Sequence, residues 1–347
     1  MLHCFFSPDK RYTELKVLSR ALSKAFASQQ SLSQALDTLS HQQSLKKLGS
    51  FLRPIAFELK GTRSATQAFF KYENKIGTFF CEALRHGESS ADPEGFFSRL
   101  ADYYEENDHF RKEIFRSLKY PAIIAAGATG AIVTLLAVSI PAAVRTIPAY
   151  SENIPLITRI VLHALTVRPQ VLLALLIITL FLLTCAWCSN AKFHLLDKLA
   201  HDVRFFGSFS RKLSLRRIAL NLSFLLSNGV GISDALRISA GTLRYTPYRD
   251  KLIGIAQKIH ENAASLPAAM KDAGDIFPPL VFDVLPDRKP PYSEAGYFRK
   301  IAEFYAEEIR TAVTVTAIVL EPLIVAIAGL LGGGILAALY LPLLRNL

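Results

Sequence analysis

A chain of 347 residues with 51% hydrophobic and 20% charged positions suits a membrane protein with large polar parts and excludes one buried wholly in lipid. Its formal net charge of +11 comes from basic and acidic residues that interleave through both polar segments, so the basic stripe of a nucleic-acid binder is missing and no nucleic-acid partner is expected. The surplus reads as a positive-inside bias with contact to anionic lipid headgroups, a protein-binding face being the sharper alternative.

In chain order, residues 1–11 hold no uncharged apolar core of the length a secretory signal needs, so no signal is expected there. The first polar segment, residues 1–118, reads as helical. Leu15, Leu18, Leu22, Ala25 and Phe26 recur at helical spacing, as do Leu48, Phe51, Leu52, Ile55 and Leu59. Ser31-Leu32-Ser33-Gln34 and Ser64-Ala65-Thr66-Gln67 have capping-box spacing, in which the first serine oxygen takes a first-turn amide and the glutamine reaches back. Asp102, Glu105, Glu106, Asp108 and Glu113 share helical spacing with Arg111 and Lys112 nearby. They read as a salt-bridged helix face, with capture of a cation as the sharper alternative.

Residues 121–140 carry no charge over about 20 positions, enough for ~30 Å of hydrocarbon, and give a first transmembrane helix at 119–140. The connection 141–168 has only Arg145, Arg159 and Arg168 as basic residues. The uncharged residues 171–188 give a second transmembrane helix at 169–188. It ends in Cys185-Ala186-Trp187-Cys188, but that CxxC does not precede a helix N-terminus that would lower a thiol pKa, so redox chemistry is not expected. The second polar segment, residues 189–312, is helical again. Leu222, Leu225 and Leu226 precede an Asn228-Gly229 break, and Ile232, Ala235 and Leu236 follow it.

Residues 313–347 supply a third transmembrane helix and a short tail. Glu321 is its only charged residue before Arg345. A carboxylate there is costly unless paired or protonated, which makes Glu321 a functional candidate expected to pair with a basic group or a partner. The plainer alternative is an interfacial glutamate ahead of Pro322, the proline occupying the first turn of the membrane helix. Gly329 and Gly333 form a GxxxG that suits close helix contact, with flexibility near a helix end as the alternative.

The polar segments repeat each other. Ser33-Gln34-Ala35-Leu36 recurs as Ser233-Asp234-Ala235-Leu236, and Leu100-Ala101-Asp102-Tyr103-Tyr104-Glu105-Glu106 as Ile301-Ala302-Glu303-Phe304-Tyr305-Ala306-Glu307. Lys119-Tyr120-Pro121 matches Leu320-Glu321-Pro322. An offset held over about a hundred residues points to duplication. The expected fold class is therefore all-α: two duplicated helical bundles of about six helices each, plus three transmembrane helices. Arg111, Lys112, Arg116 and Lys119 crowd the start of the first span, and Lys192, Lys198, Arg204, Arg211, Lys212, Arg216 and Arg217 follow the second. Both large segments should then face the cytoplasm, with the 141–168 loop and the C-terminus on the other side. The second span is the return helix that lets two copies share one side.

Chemistry-bearing motifs are absent. There is no GxxxxGK[ST], HExxH, GxSxG or metal-type Cys/His cluster. No catalytic, cofactor-binding or metal-binding residue is expected, and no cofactor. His86 and His109 read as solvated or core-edge residues, and Cys4 and Cys81 as free thiols.

These motifs in this order resemble the type II secretion system protein F family, which includes the platform proteins of type IV pili. The matching residues are Leu32-Ser33-Gln34-Ala35-Leu36, residues 100–105 running to Tyr120-Pro121, Gly229-Val230-Gly231-Ile232-Ser233-Asp234-Ala235-Leu236, Phe277-Pro278-Pro279-Leu280 and Leu320-Glu321-Pro322-Leu323. The family's Gly-Glu-x-Ser-Gly turn is matched at Gly87-Glu88-Ser89-Ser90, with Ala91 in place of the last glycine and Asp92-Pro93-Glu94-Gly95 following. In the second copy, Pro286-Asp287-Arg288-Lys289-Pro290-Pro291 has lost it.

The resemblance implies a non-enzymatic, multi-pass protein of the bacterial inner membrane with both large domains cytoplasmic. Its partners would be a hexameric secretion ATPase, pseudopilins or pilins, other inner-membrane secretion components, membrane lipid and further copies of itself. It would couple the ATPase to pseudopilin assembly and protein export, or to type IV pilus assembly. A small transporter or intramembrane enzyme is the reading from another class, and an unrelated membrane scaffold a third.

Overall fold

The computed structural model describes residues 11–28, 31–41, 48–61, 64–134, 204–243, 246–262, 266–272 and 293–345. Every regular element among them is a helix: α1 (Arg11–Ala27), α2 (Leu32–Ser40), α3 (Gly49–Leu59), α4 (Ala65–Phe70), α5 (Glu73–Ile76), α6 (Thr78–Glu88), α7 (Pro93–Thr134), α8 (Arg204–Ser227), α9 (Ile232–Gly241), α10 (Thr246–Asn262), α11 (Leu266–Asp272) and α12 (Glu294–Arg345). The second candidate span, the 141–168 loop, the CxxC, Cys4, Phe277-Pro278-Pro279-Leu280 and the 286–291 stretch lie outside the described residues.

The chain divides into two units, Met1–Lys112 with His194–Arg310, and Glu113–Phe193 with Thr311–Leu347. Both polar segments thus belong to one compact unit. Its helices bury the stripes that the 3.6-residue period sets facing inward: Leu15, Leu18 and Leu22 from α1, Leu36 from α2, and Leu52 and Ile55 from α3, all nearly inaccessible. The second segment adds Leu222, Leu225, Leu236 and Ile255 to the same core. Phe224 of α8 packs on Phe79, Phe96 and Tyr103 at centroid distances of 5.9, 5.5 and 5.4 Å. Aromatic contacts at this range add to the area they bury.

Helix ends follow local chemistry. The break after α8 is made by Gly229, at φ +77°, with Val230 N–H donating to Leu225 O at 3.0 Å. That left-handed cap needs glycine because a Cβ would be strained there. Asp92 precedes α7, takes the Gly95 amide on its carboxylate at 2.9 Å, and is followed by Pro93 at the first helical position. The same tertiary bond occurs once in each polar segment, two hundred positions apart. Ser33 Oγ donates to Ala56 O at 2.7 Å, and Ser233 Oγ to Ala256 O at 3.0 Å.

In the second unit, α7 contributes residues 113–134 and α12 residues 311–345. Helix α12 is long and apolar enough to cross a membrane. Its Ile318, Val319, Leu323, Val325, Ile327 and Leu330 are exposed, a surface too apolar for water and suited to lipid. Helices α7 and α12 run unbroken through positions 118/119 and 312/313, where polar sequence gives way to apolar.

Candidate functional site

The Gly87-Glu88 pair sits at the end of α6 and performs two packing tasks. A Cβ on Gly87 would lie 2.6 Å from Phe96 Cδ1 and 2.8 Å from Phe97 Cζ, so only glycine lets α6 approach α7 this closely. Glu88 caps α4 from across the fold. Its carboxylate accepts the amides of Ala65 at 2.8 Å and Thr66 at 3.0 Å, and the hydroxyls of Ser64 at 3.3 Å and Thr66 at 2.5 Å. Anionic oxygens satisfy first-turn amides and match the helix dipole. This corrects the capping-box expectation. Ser31 and Ser64 are the N-cap residues, but neither makes a side-chain cap hydrogen bond. At Ser64 the distant carboxylate takes the amides that a capping box would have used. Glu14 plays a related part for α3: nearly inaccessible, it accepts the Leu48 amide at 3.0 Å.

The acidic run on α7 is a salt-bridged face, with partners from three other helices. From α1, Arg20 meets Glu105 at 2.5 Å and Asp102 at 3.8 Å, and Lys16 meets Glu105 at 3.5 Å. Asp108 accepts from Thr13 Oγ1 at 3.1 Å and pairs with Lys112 at 2.7 Å. Glu106, in the first polar segment, reaches two residues of the second. Arg299 of α12 donates to it at 2.6 Å, and the buried Arg216 of α8 lies 3.8 Å away. Arg216 also donates to Asn107 Oδ1 at 3.2 Å and lies 3.7 Å from the Phe110 ring centroid. Burial lowers its pKa to about 10, against the attraction of Glu106, so it stays charged at neutral pH. Burial would lower Arg299 too, but Glu106 and Glu303 raise it overall. Beside this network, Tyr103 Oη donates to Asn221 Oδ1 at 2.5 Å.

Of these residues, Asp102, Glu105, Glu106, Phe110, Arg216 and Arg299 line a cleft of about 510 Å³ between α7, α8 and α12. The ion pairs that its acidic residues make to α1, α8 and α12 lock these helices to α7. Among the described residues, no group of three or more His, Cys, Asp or Glu is placed to hold a metal ion.

Glu321 lies in the second unit and accepts a hydrogen bond at 3.0 Å from Tyr120 Oη. The partner is therefore a phenol on α7 where a basic group was one expectation. Pro322 follows within the continuous α12, well past its first turn, which corrects the placement of that proline at a helix start. Gly329 and Gly333 are also within α12, and a Cβ on either would meet nothing within 4 Å. No helix packs against them among the described residues. Arg216 stood out only as one of the basic residues after the second span, and no local pattern marks Arg299 or Asn221. Tyr120 did carry a signal, since it precedes Pro121 as Glu321 precedes Pro322.

The family model described as "Type II secretion system (T2SS), protein F" matches residues 18–141. The chain is 25% identical over 335 residues to the type IV pilus assembly protein PilC of Thermus thermophilus, covering 96% of this chain and 82% of that protein. It is 23% identical over 336 residues to the type IV pilus assembly protein TapC of Aeromonas hydrophila, covering 96% and 81%. It is 24% identical over 321 residues to the type II secretion system protein F of Aeromonas hydrophila, covering 90% and 81%.

Proposed function

We propose that this chain, which belongs to the type II secretion system protein F family, is the inner-membrane platform protein of a secretion or pilus machine. In this reading it couples a cytoplasmic hexameric ATPase to the insertion of pilin-like subunits, and itself catalyses no reaction. The observation that carries the reading is similarity along 96% of the chain to a protein named for pilus assembly and along 90% to one named for type II secretion. Both relatives bear on the choice between machines, so secretion and pilus assembly stand together.

The structure supports the coupling role in two ways. The two polar segments share one core, pinned by Glu106 to Arg299 and Arg216, so a load applied to one is felt by the other. Helices α7 and α12 continue without a break from that unit into apolar sequence, and a continuous helix transmits rotation or tilt. The matched Ser33 and Ser233 bonds favour the duplication, and the positive-inside bias favours three spans with both copies cytoplasmic.

The test is affinity capture of the tagged full chain from cross-linked membranes. Recovery of a hexameric ATPase and a pilin-like subunit is the expected result. Recovery of neither, with the chain intact in the membrane, would favour the unrelated scaffold.

A further inference from the structure

We infer that Glu321, Tyr120, Arg116 and Lys119 form a headgroup site for an aminophospholipid, its primary ammonium on the carboxylate and its phosphate on the two cations. The inference rests on the membrane reading above, and all four residues belong to the second unit.

The Tyr120 hydroxyl donates to Glu321 Oε1 at 3.0 Å and so ties α7 to α12. An ionised carboxylate offers about four acceptor sites, and this bond fills one. No cation among the described residues pairs with Glu321, and α12 carries no Lys or Arg between Arg310 and Arg345. A carboxylate beside apolar sequence with one neutral donor is under-satisfied. On α7, Arg116 lies one helical turn before Tyr120, on the same face. Arg116 and Lys119 are both exposed and make no ion pair among the described residues.

The charge pattern selects the ligand. A lone cation from a partner helix would approach one negative and two positive charges and be repelled on balance. A purely anionic headgroup would satisfy the cations but meet Glu321. A zwitterion with an ammonium next to a phosphate matches both signs at once. A primary ammonium also has N–H donors for Glu321, and charge-assisted bonds of this kind are the strong ones. A quaternary ammonium has none. Phosphatidylethanolamine therefore fits, and phosphatidylcholine and phosphatidylglycerol each lack one requirement.

The experiment is native mass spectrometry of the full chain released from bilayers of equal phosphatidylethanolamine, phosphatidylcholine and phosphatidylglycerol, counting retained lipids. The parent should keep phosphatidylethanolamine in preference to the other two. Glu321→Gln should lower that retention about tenfold, as expected for losing one charge-assisted bond. Arg116→Ala with Lys119→Ala should lower it while leaving the Tyr120–Glu321 pair in place. The comparison of headgroups on the parent protein needs no variant, so misfolding of a variant cannot mask the answer. Equal retention of all three lipids would overturn the site, as would unchanged retention in Glu321→Gln. A cross-link from Glu321 to a cationic side chain of another protein, with lipid retention unchanged, would assign the carboxylate to that partner and overturn it too. Recovery of the chain in a soluble fraction free of membrane would instead remove the membrane reading itself.

Discussion

Glu88→Ala is the most informative single change to the fold. It removes an acceptor for two backbone amides and two hydroxyls at the start of α4, at 2.8, 3.0, 3.3 and 2.5 Å. Ser64 makes no side-chain cap bond there, so among the described residues the carboxylate is the side-chain acceptor that these amides have. A lost helix cap costs about 1 kcal/mol, and each bond to a charged group is worth about 1.5–3 kcal/mol. Glu88 is only half-buried, and water can reach the freed amides, so the total should be about 2–3 kcal/mol. In a folded unit of about 200 residues that lowers Tm by about 5–10 °C. Glu88→Gln keeps one acceptor oxygen and should fall roughly midway. The assay is thermal unfolding of the full chain in detergent followed by circular dichroism. Exposed Glu261, mutated to alanine, serves as the surface control. A Glu88→Ala midpoint within about 1 °C of the parent would refute the cross-fold cap.

Other expectations follow from the same contacts. Glu106→Ala leaves the buried Arg216 without its carboxylate and should cost about 3 kcal/mol in the same unfolding assay, whereas an effect no larger than a surface change would contradict the lock. Ser33→Ala and Ser233→Ala remove matching bonds to Ala56 and Ala256 and should each cost about 1 kcal/mol; a large loss from only one would show that the two polar segments do not use the bond alike. His86 has a pKa lowered by burial and then by Arg85, against Glu82 and Asp234, so the folded state resists its protonation. Its contribution is full above the unfolded value of 6.5 and is lost as pH falls from there through the lower folded value. His86→Gln should flatten that part of the stability profile, and an identical slope in parent and variant would count against it. Topology reporters fused at Ser44 and Lys258 should read cytoplasmic and one at Ile154 periplasmic; a periplasmic signal at Lys258 would sink the three-span topology.

Much of the architecture is legible in the chain because helical periodicity is a local property. The stripe Leu15, Leu18, Leu22 and the Asn228-Gly229 stop each depend on residues a few positions apart, and both are realised. The serines at the starts of α2 and α4 likewise mark the right positions. The identity of the cap was not legible, because Glu88 reaches α4 over more than twenty residues of sequence. The acidic run on α7 read correctly as a salt-bridged face. Its main partners were hidden, since Arg216 and Arg299 come from the other half of the chain. That the two polar segments share one core was hidden for the same reason: an inward stripe shows what is buried, not against what. Tyr120 stood at the position matching Glu321, yet a hydrogen bond between matched positions follows only once the two helices are side by side.

The platform reading is tested most directly by deleting the chain's gene in its host and examining the cells for surface filaments and exported proteins. Loss of one or both, restored by the parent chain supplied in trans, is the expected result. Filaments and secretion that persist unchanged in the deletion strain would contradict the proposed role.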